Sequence, residues 1–84
     1  MDARRKKLLY QSQHCGMKEN DVLIGQFAGA HMSKLSDDDL DLFDGLLLES
    51  DLDLYNWIIG REPVPEHMNN SLMNAIIAYN ANKV

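Results

Sequence analysis

The sequence predicts an all-α fold, a compact bundle of five short helices in a single domain over residues 1–84. Three observations predict it. Hydrophobic residues recur at helical intervals along almost the whole chain, and no stretch keeps the strict alternation of a half-buried strand for more than a few residues. Helix start and stop signals divide the chain into segments joined by about two to six residues, the connection length that keeps successive helices adjacent in a bundle. With 84 residues, 45% of them hydrophobic, the chain suits one small domain and has no room for a second.

The first helix is expected from Ala3 to His14, with Arg4, Arg5, Lys6 and Lys7 on its opening turns and Leu8 and Leu9 leading to Tyr10. Gly16 follows as its stop, since glycine takes the left-handed conformation that closes a helix without steric cost. The second helix starts between Met17 and Asp21 and reaches Met32. Leu23, Phe27 and Ala30 form its apolar face, which Ile24 and Ala28 widen. Glu19 and Asp21 fall in its first turn, where carboxylates meet the positive end of the helix dipole. Gly25 and Gly29 lower its helix propensity but permit close approach of a neighbouring helix.

Ser36 followed by Asp39 has the spacing of a capping box and opens the third helix through Leu40, Phe43 and Leu47. Ser50 and Asp53 repeat the spacing before a fourth helix carrying Leu54, Tyr55, Ile58 and Ile59, which Gly60 ends. Trp57 lies off that stripe, so it is either a core residue or an interface aromatic. Pro63 and Pro65 impose an extended link, because proline disfavours helical geometry in the residue before it. The last helix follows Glu66, faces Leu72, Met73, Ile76 and Ile77 inward, and frays towards Val84.

Composition narrows the function classes. A domain of this size buries only about 60% of the surface its unfolded chain exposes, which leaves little interior for a deep catalytic pocket. The formal net charge of -5 gives no general attraction to phosphate backbones or anionic lipid, so nucleic acid and membrane are not expected partners. The apolar runs, such as Leu46 to Leu48, are far shorter than the roughly 20 residues of a membrane span. One cysteine and no apolar leader point to a reducing compartment.

Candidate chemistry is sparse. The run from Ser36 to Asp53 holds eight acidic residues and no basic one. It reads as a solvated face with two capped helix starts, because it lacks the alternating oxygen ligands, central glycine and distal glutamate of a calcium loop. His14 and Cys15 are adjacent, but no second cysteine completes a structural zinc set with His31 or His67. No serine sits in a nucleophile motif and no glycine-rich phosphate loop is present, so catalysis by this chain is not expected. Cys15 reads as an ordinary thiol. A thiol-based redox switch would require it to be exposed, with a lowered pKa.

The run Leu8-Leu9-Tyr10-Gln11-Ser12-Gln13-His14-Cys15-Gly16-Met17-Lys18-Glu19-Asn20 resembles the SdhE-type family, small assembly factors that promote covalent attachment of FAD to the flavoprotein subunit of succinate dehydrogenase. The likeness continues through Leu23-Ile24-Gly25-Gln26-Phe27-Ala28, Leu35-Ser36-Asp37, Leu42-Phe43-Asp44 and Asp53-Leu54-Tyr55-Asn56-Trp57 to Pro63, and the family implies the same five-helix order. Its signature is Arg-Gly-x-x-Glu. Gly16 and Glu19 match it, while Cys15 stands at the arginine position. A thiol offers one weak donor where arginine offers a fixed charge and five.

The resemblance implies a binding module, not an enzyme, that grips the flavoprotein subunit of succinate dehydrogenase or fumarate reductase with the surface around the signature. The implied partner-binding residues are His14, Cys15, Gly16, Met17, Glu19, Asp21 and Trp57. Among them Glu19 supplies an anionic contact, Gly16 close backbone approach and Met17 adaptable packing. No cofactor is bound stably, since the FAD belongs to the client, whose own histidine forms the bond. The factor is expected to be a monomer when free, in a bacterial cytoplasm or, alternatively, the mitochondrial matrix. A second reading is a helical adaptor of the same fold whose flavinylation activity Cys15 impairs.

Overall fold

The computed structural model describes residues 1–82 and contains no strand among them. Helix α1 (Ala3–Ser12) is followed by α2 (Lys18–Leu23), α3 (Gly25–His31), α4 (Asp37–Leu46), α5 (Asp51–Ile58) and α6 (Ser71–Ala81). Single 3₁₀ turns at Met32–Lys34 and Glu66–Met68 lead into α4 and α6. Helix α1 lies against α3 and α4, α2 lies against α5, and α6 closes the bundle against α3, α4 and α5. The Cα radius of gyration is 11.7 Å, in line with the roughly 12 Å of a globule this long.

The expected second helix is a bent rod made of α2 and α3. Its hydrogen bonds run almost unbroken across the bend, from Ile24 N–H to the Asn20 carbonyl at 2.8 Å and from Ala28 N–H to the Ile24 carbonyl at 2.9 Å. The bend falls where the chain passes closest to α1: a Cβ on Gly25 would stand 3.0 Å from the Ser12 carbonyl oxygen and 3.1 Å from Gln13 Cα. Gly25 thus has the close approach expected of it, and glycine is a recurrent site of helix bending. Gly29 meets only ordinary contact, with the Gln13 side chain 3.6 Å from its virtual Cβ. The buried stripe is not centred where expected. Ile24, Phe27 and Ala28 are buried and Leu23 partly so, whereas Ala30 is exposed.

Capping explains most of the helix starts. Ser36 Oγ accepts from Asp39 N–H at 3.1 Å, and Asp39 Oδ2 accepts from Ser36 N–H at 3.2 Å, a reciprocal capping box. Ser50 caps α5 from one side only, accepting from Asp53 N–H at 3.5 Å. Asp2 caps α1 by accepting from Arg5 N–H at 2.8 Å. The last helix begins later than expected: Glu66–Met68 is one 3₁₀ turn, and α6 starts behind Asn70, whose side chain accepts from Met73 N–H at 2.9 Å. The expected fraying at Val84 lies outside the described residues.

Of the two expected glycine stops, Gly60 takes a left-handed φ of 81° beyond α5, while Gly16 does not: Gly60 is the only described residue with positive φ. Helix α1 instead ends at Ser12, two residues short of His14, in a turn of right-handed geometry at Gln13. The core collects Leu8, Ile24, Phe27, Met32, Leu40, Phe43, Leu46, Leu54, Trp57, Ile58, Met68, Leu72, Met73 and Ile76. Leu9 and Ile77 are partly buried. Ile59, expected on the inner stripe, is 43% exposed because α5 ends at Ile58.

Candidate functional site

The residues of the Gly16–Glu19 signature occupy the turn between α1 and α2. This turn has almost no apolar side chain to anchor it, so its backbone groups must be satisfied by polar ones. Asp21 does this: its Oδ1 accepts from Cys15 N–H at 2.6 Å. Asn20 and Asp21 N–H donate to the Met17 carbonyl at 3.0 and 3.3 Å, closing the first turn of α2. Behind the turn, Asn20 is fully buried and its Nδ2 donates to the Asp51 carbonyl at 2.8 Å, tying α2 to the start of α5. Among the described residues Asn20 Oδ1 has no hydrogen-bond partner.

This frame holds Gly16, Lys18 and Glu19 outward, all exposed, with Met17 half-buried beside them. What comes close to Gly16 is the Asp51 carboxylate, whose Oδ2 would lie 2.6 Å from a Cβ at that position. Gly16 does not take the positive φ expected of a helix stop, and the atom nearest to it is the free end of a side chain. His14 is exposed; its Nδ1 lies 2.8 Å from the Tyr10 carbonyl oxygen, and its ring stacks on the Tyr10 ring with centroids 4.0 Å apart.

Cys15 is half-buried, and its thiol points back at the Ser12 and Gln11 carbonyls, 3.4 and 3.6 Å away. Burial and the nearby Asp51 and Asp21 carboxylates push the thiol up from an ordinary 9.0 to about 11. Such a group is neutral at physiological pH, the opposite of what a redox-sensing thiol requires.

Two of the expected partner-binding residues face elsewhere. Trp57 is 8% exposed and belongs to the core, with its ring edge-on to His67 at 6.3 Å between centroids; burial leaves it little surface to offer. Asp21 is half-buried and spends its carboxylate on the Cys15 backbone. The expected solvated acidic face is partly engaged. Arg4 bridges Asp41 at 2.5 Å and Asp44 at 2.8 Å, joining α1 to α4. Arg5 donates to the Met32 carbonyl at 3.1 Å and the Leu35 carbonyl at 2.5 Å. Half of the basic opening run thus serves the fold itself.

Sequence reasoning passed over Asn20, Asp51 and Tyr10. The first was legible, since Asn20, Ile24 and Phe27 share one helical stripe and a polar residue on a buried stripe is informative. Asp51 read only as one acid of a solvated face. Its position against Gly16 comes from the packing of α2 on α5. Between the α1–α2 turn and the α4–α5 turn this packing leaves a groove of about 490 Å³, lined by Tyr10, Gln11, His14, Cys15, Gly16, Leu47, Glu49, Ser50, Asp51 and Leu54.

Comparison with known proteins places this geometry in context. The model of a family described as flavinator of succinate dehydrogenase matches residues 6–80. "Succinate dehydrogenase assembly factor 2, mitochondrial" of Dictyostelium discoideum is 42% identical over 72 residues, covering 86% of this chain and 51% of that protein. The proteins of the same name from Candida glabrata and Danio rerio are 39% identical over 74 residues and 33% over 85, covering 84% and 99% of this chain and 48% and 54% of theirs. The chain spans about half the length of these relatives. Their names say mitochondrial and give the expected bacterial cytoplasm no support. Because the family match takes in all six helices and the turn that carries Gly16 and Glu19, the chain belongs to the flavinator of succinate dehydrogenase family.

Proposed function

We propose that this chain is an assembly factor that binds the flavoprotein subunit of succinate dehydrogenase and promotes covalent attachment of that subunit's FAD. The observation that carries the reading is the family match over residues 6–80, together with relatives named for succinate dehydrogenase assembly. The covalent step itself belongs to the client and its own FAD. The factor need only hold the client with flavin and histidine aligned and water restrained, which is catalysis by positioning. Glu19 and Gly16 are exposed on a turn braced from behind by Asn20 and Asp21, the arrangement a contact surface of fixed shape needs. Glu19 offers its carboxylate to client groups near the flavin, and Met17 adapts to the client surface.

Stable FAD binding by the factor is disfavoured by its own chemistry. The groove beside the signature turn carries the carboxylates of Glu49 and Asp51, which repel a pyrophosphate. The factor works as a free monomer that engages succinate dehydrogenase or, as a second client, fumarate reductase. Relatives named mitochondrial favour the matrix as the setting. The test is covalent flavin fluorescence, on a denaturing gel, of the flavoprotein subunit made in cells lacking their own factor and supplied with this chain or its Cys15→Arg variant. Fluorescence with this chain supports the reading. Fluorescence with neither folded protein removes it.

A second reading has one observation in its favour: where the family signature has arginine, this chain carries a half-buried thiol that stays neutral between two carboxylates. On that reading the chain keeps client binding but promotes flavinylation poorly, and fluorescence returns only with Cys15→Arg.

A further inference from the structure

The groove beside the signature turn has no task in the function proposed above, and its two walls differ in chemistry. One wall carries Tyr10, 64% exposed and stacked on His14. The other carries Glu49 and Asp51. No lysine or arginine among the described residues lines it. Four carboxylates have an ion-pair partner among the described residues: Asp41 and Asp44 with Arg4, Asp2 with Arg5, and Glu49 with His67 at 3.2 Å. Asp51 has no ion-pair partner among the described residues, although it stands at the groove, against Gly16. Cys15 adds no charge of its own.

A group that satisfies both walls must be cationic and flat. A guanidinium stacks on aromatic faces and presents paired donors to a carboxylate, whereas an ammonium is a compact, strongly hydrated point charge. A volume of about 490 Å³ holds one arginine side chain and the backbone that delivers it. We propose that the groove receives an arginine side chain of the partner protein, its guanidinium stacked on the Tyr10–His14 pair and hydrogen-bonded to Asp51. The proposal rests on the reading that the chain binds a flavoprotein subunit, and it names the chemistry of one contact in that complex.

The test has two arms. In the first, the ¹⁵N-labelled chain is titrated with acetyl-Gly-Arg-Gly-amide and with the same peptide carrying lysine or the neutral isostere citrulline. The arginine peptide is expected to shift the Cys15, Gly16, Ser50 and Asp51 amide signals saturably in the millimolar range, with lysine about fivefold weaker and citrulline without effect. Asp51→Asn weakens the arginine peptide about tenfold and Tyr10→Ala severalfold, with melting temperatures verifying that both variants fold. Equal response to arginine and citrulline, or shifts elsewhere on the chain, overturns the proposal. Self-association through the same signals, without peptide, assigns the groove to a second copy and also overturns it.

In the second arm, purified flavoprotein subunit is titrated with wild type and Asp51→Asn. About tenfold weaker binding of the variant supports the arginine contact. Equal binding of both removes the groove from the interface and leaves the proposed function standing. A subunit that binds neither, beside a peptide that still enters the groove, takes down the proposed function and leaves the guanidinium site supported.

Discussion

Two turns of the molecule solve the same problem in different ways. The turn from α3 into α4 and the turn from α1 into α2 both leave backbone groups without helical partners. In the first, Arg5 reaches across from α1 and donates to the Met32 and Leu35 carbonyls, while the Ser36–Asp39 capping box closes the next helix start. In the second, the help comes from behind: Asp21 holds the Cys15 N–H, and Asn20 anchors α2 to the start of α5. The outer face of that turn stays open, with Gly16 and Glu19 exposed and the groove beside them. A turn filled by a long-range side chain is a structural joint. A turn braced from its inner side leaves its outer side for a partner.

The contrast can be broken most severely at the joint. Arg5→Met removes a charged donor from two part-buried carbonyls, and a lost charge-assisted hydrogen bond costs about 1.5–3 kcal/mol. Thermal denaturation should register a loss of about 3 kcal/mol or a Tm drop of more than about 10 °C, with no specific loss of client affinity in the protein that remains folded. A Tm unchanged within a few degrees would mean that the joint does not depend on Arg5.

Gly25→Ala comes next. Its Cβ would meet Ser12 and Gln13 backbone atoms at 3.0–3.1 Å, and overpacking of this kind costs about 1–3 kcal/mol. By contrast Gly29→Ala, with open contact, should be neutral or stabilising by up to about 1 kcal/mol. Equal chemical-denaturation midpoints for the two variants would show that α1 and α3 do not depend on that close approach.

At the open turn the same logic predicts a smaller stability effect and a larger functional one. Asp21→Asn weakens the acceptor for Cys15 N–H and should cost about 1 kcal/mol, yet it should lower client flavinylation more than Gly29→Ala does. Glu19→Ala should leave the Tm within about 2 °C, since the residue is exposed and such substitutions stay within about 0.5 kcal/mol, but it should lose covalent flavin fluorescence. Normal flavinylation with Glu19→Ala would remove that residue from the contact surface.

The smallest effect lies at Cys15. Its folded-state pKa is raised from 9.0 to about 11, so the folded protein holds the thiol proton more tightly than the unfolded chain does. The resulting stability is fully present below pH 9.0 and is lost as pH rises through about 11. Iodoacetamide labelling of native protein should therefore show an apparent pKa well above 9, and Asp51→Asn should lower it. Over the same alkaline window wild type should lose slightly more stability than Cys15→Ala. A labelling pKa below the ordinary value would restore the redox-switch reading.

Local signals in the sequence account for the elements whose causes are local. The Ser36–Asp39 box, the Ser50 cap, Gly60 and the two prolines each act within a few residues, and each lies where its chemistry predicts. The stripe through Leu40 and Phe43 and the stripe through Leu72, Met73 and Ile76 are buried as their period demands. The family resemblance carried by the turn around Gly16 and Glu19 was also legible, because those residues are contiguous.

Effects that depend on distant packing were not. That Gly25 meets Ser12 and Gln13 at the end of α1 depends on how the two helices pack. Trp57 entered the core through the way α5 sits in the bundle. Gly16 looked like a conformational stop, yet its φ is not positive, and what stands beside it is the Asp51 carboxylate from another helix. Helical period, caps and breakers are short-range, so the sequence by itself determined an all-α bundle, most of its helix starts and its family. Which face of the bent rod is buried, which acid stands beside position 15, and whether a groove opens there depend on contacts between residues as much as 35 positions apart. Only the tertiary structure brings those residues together.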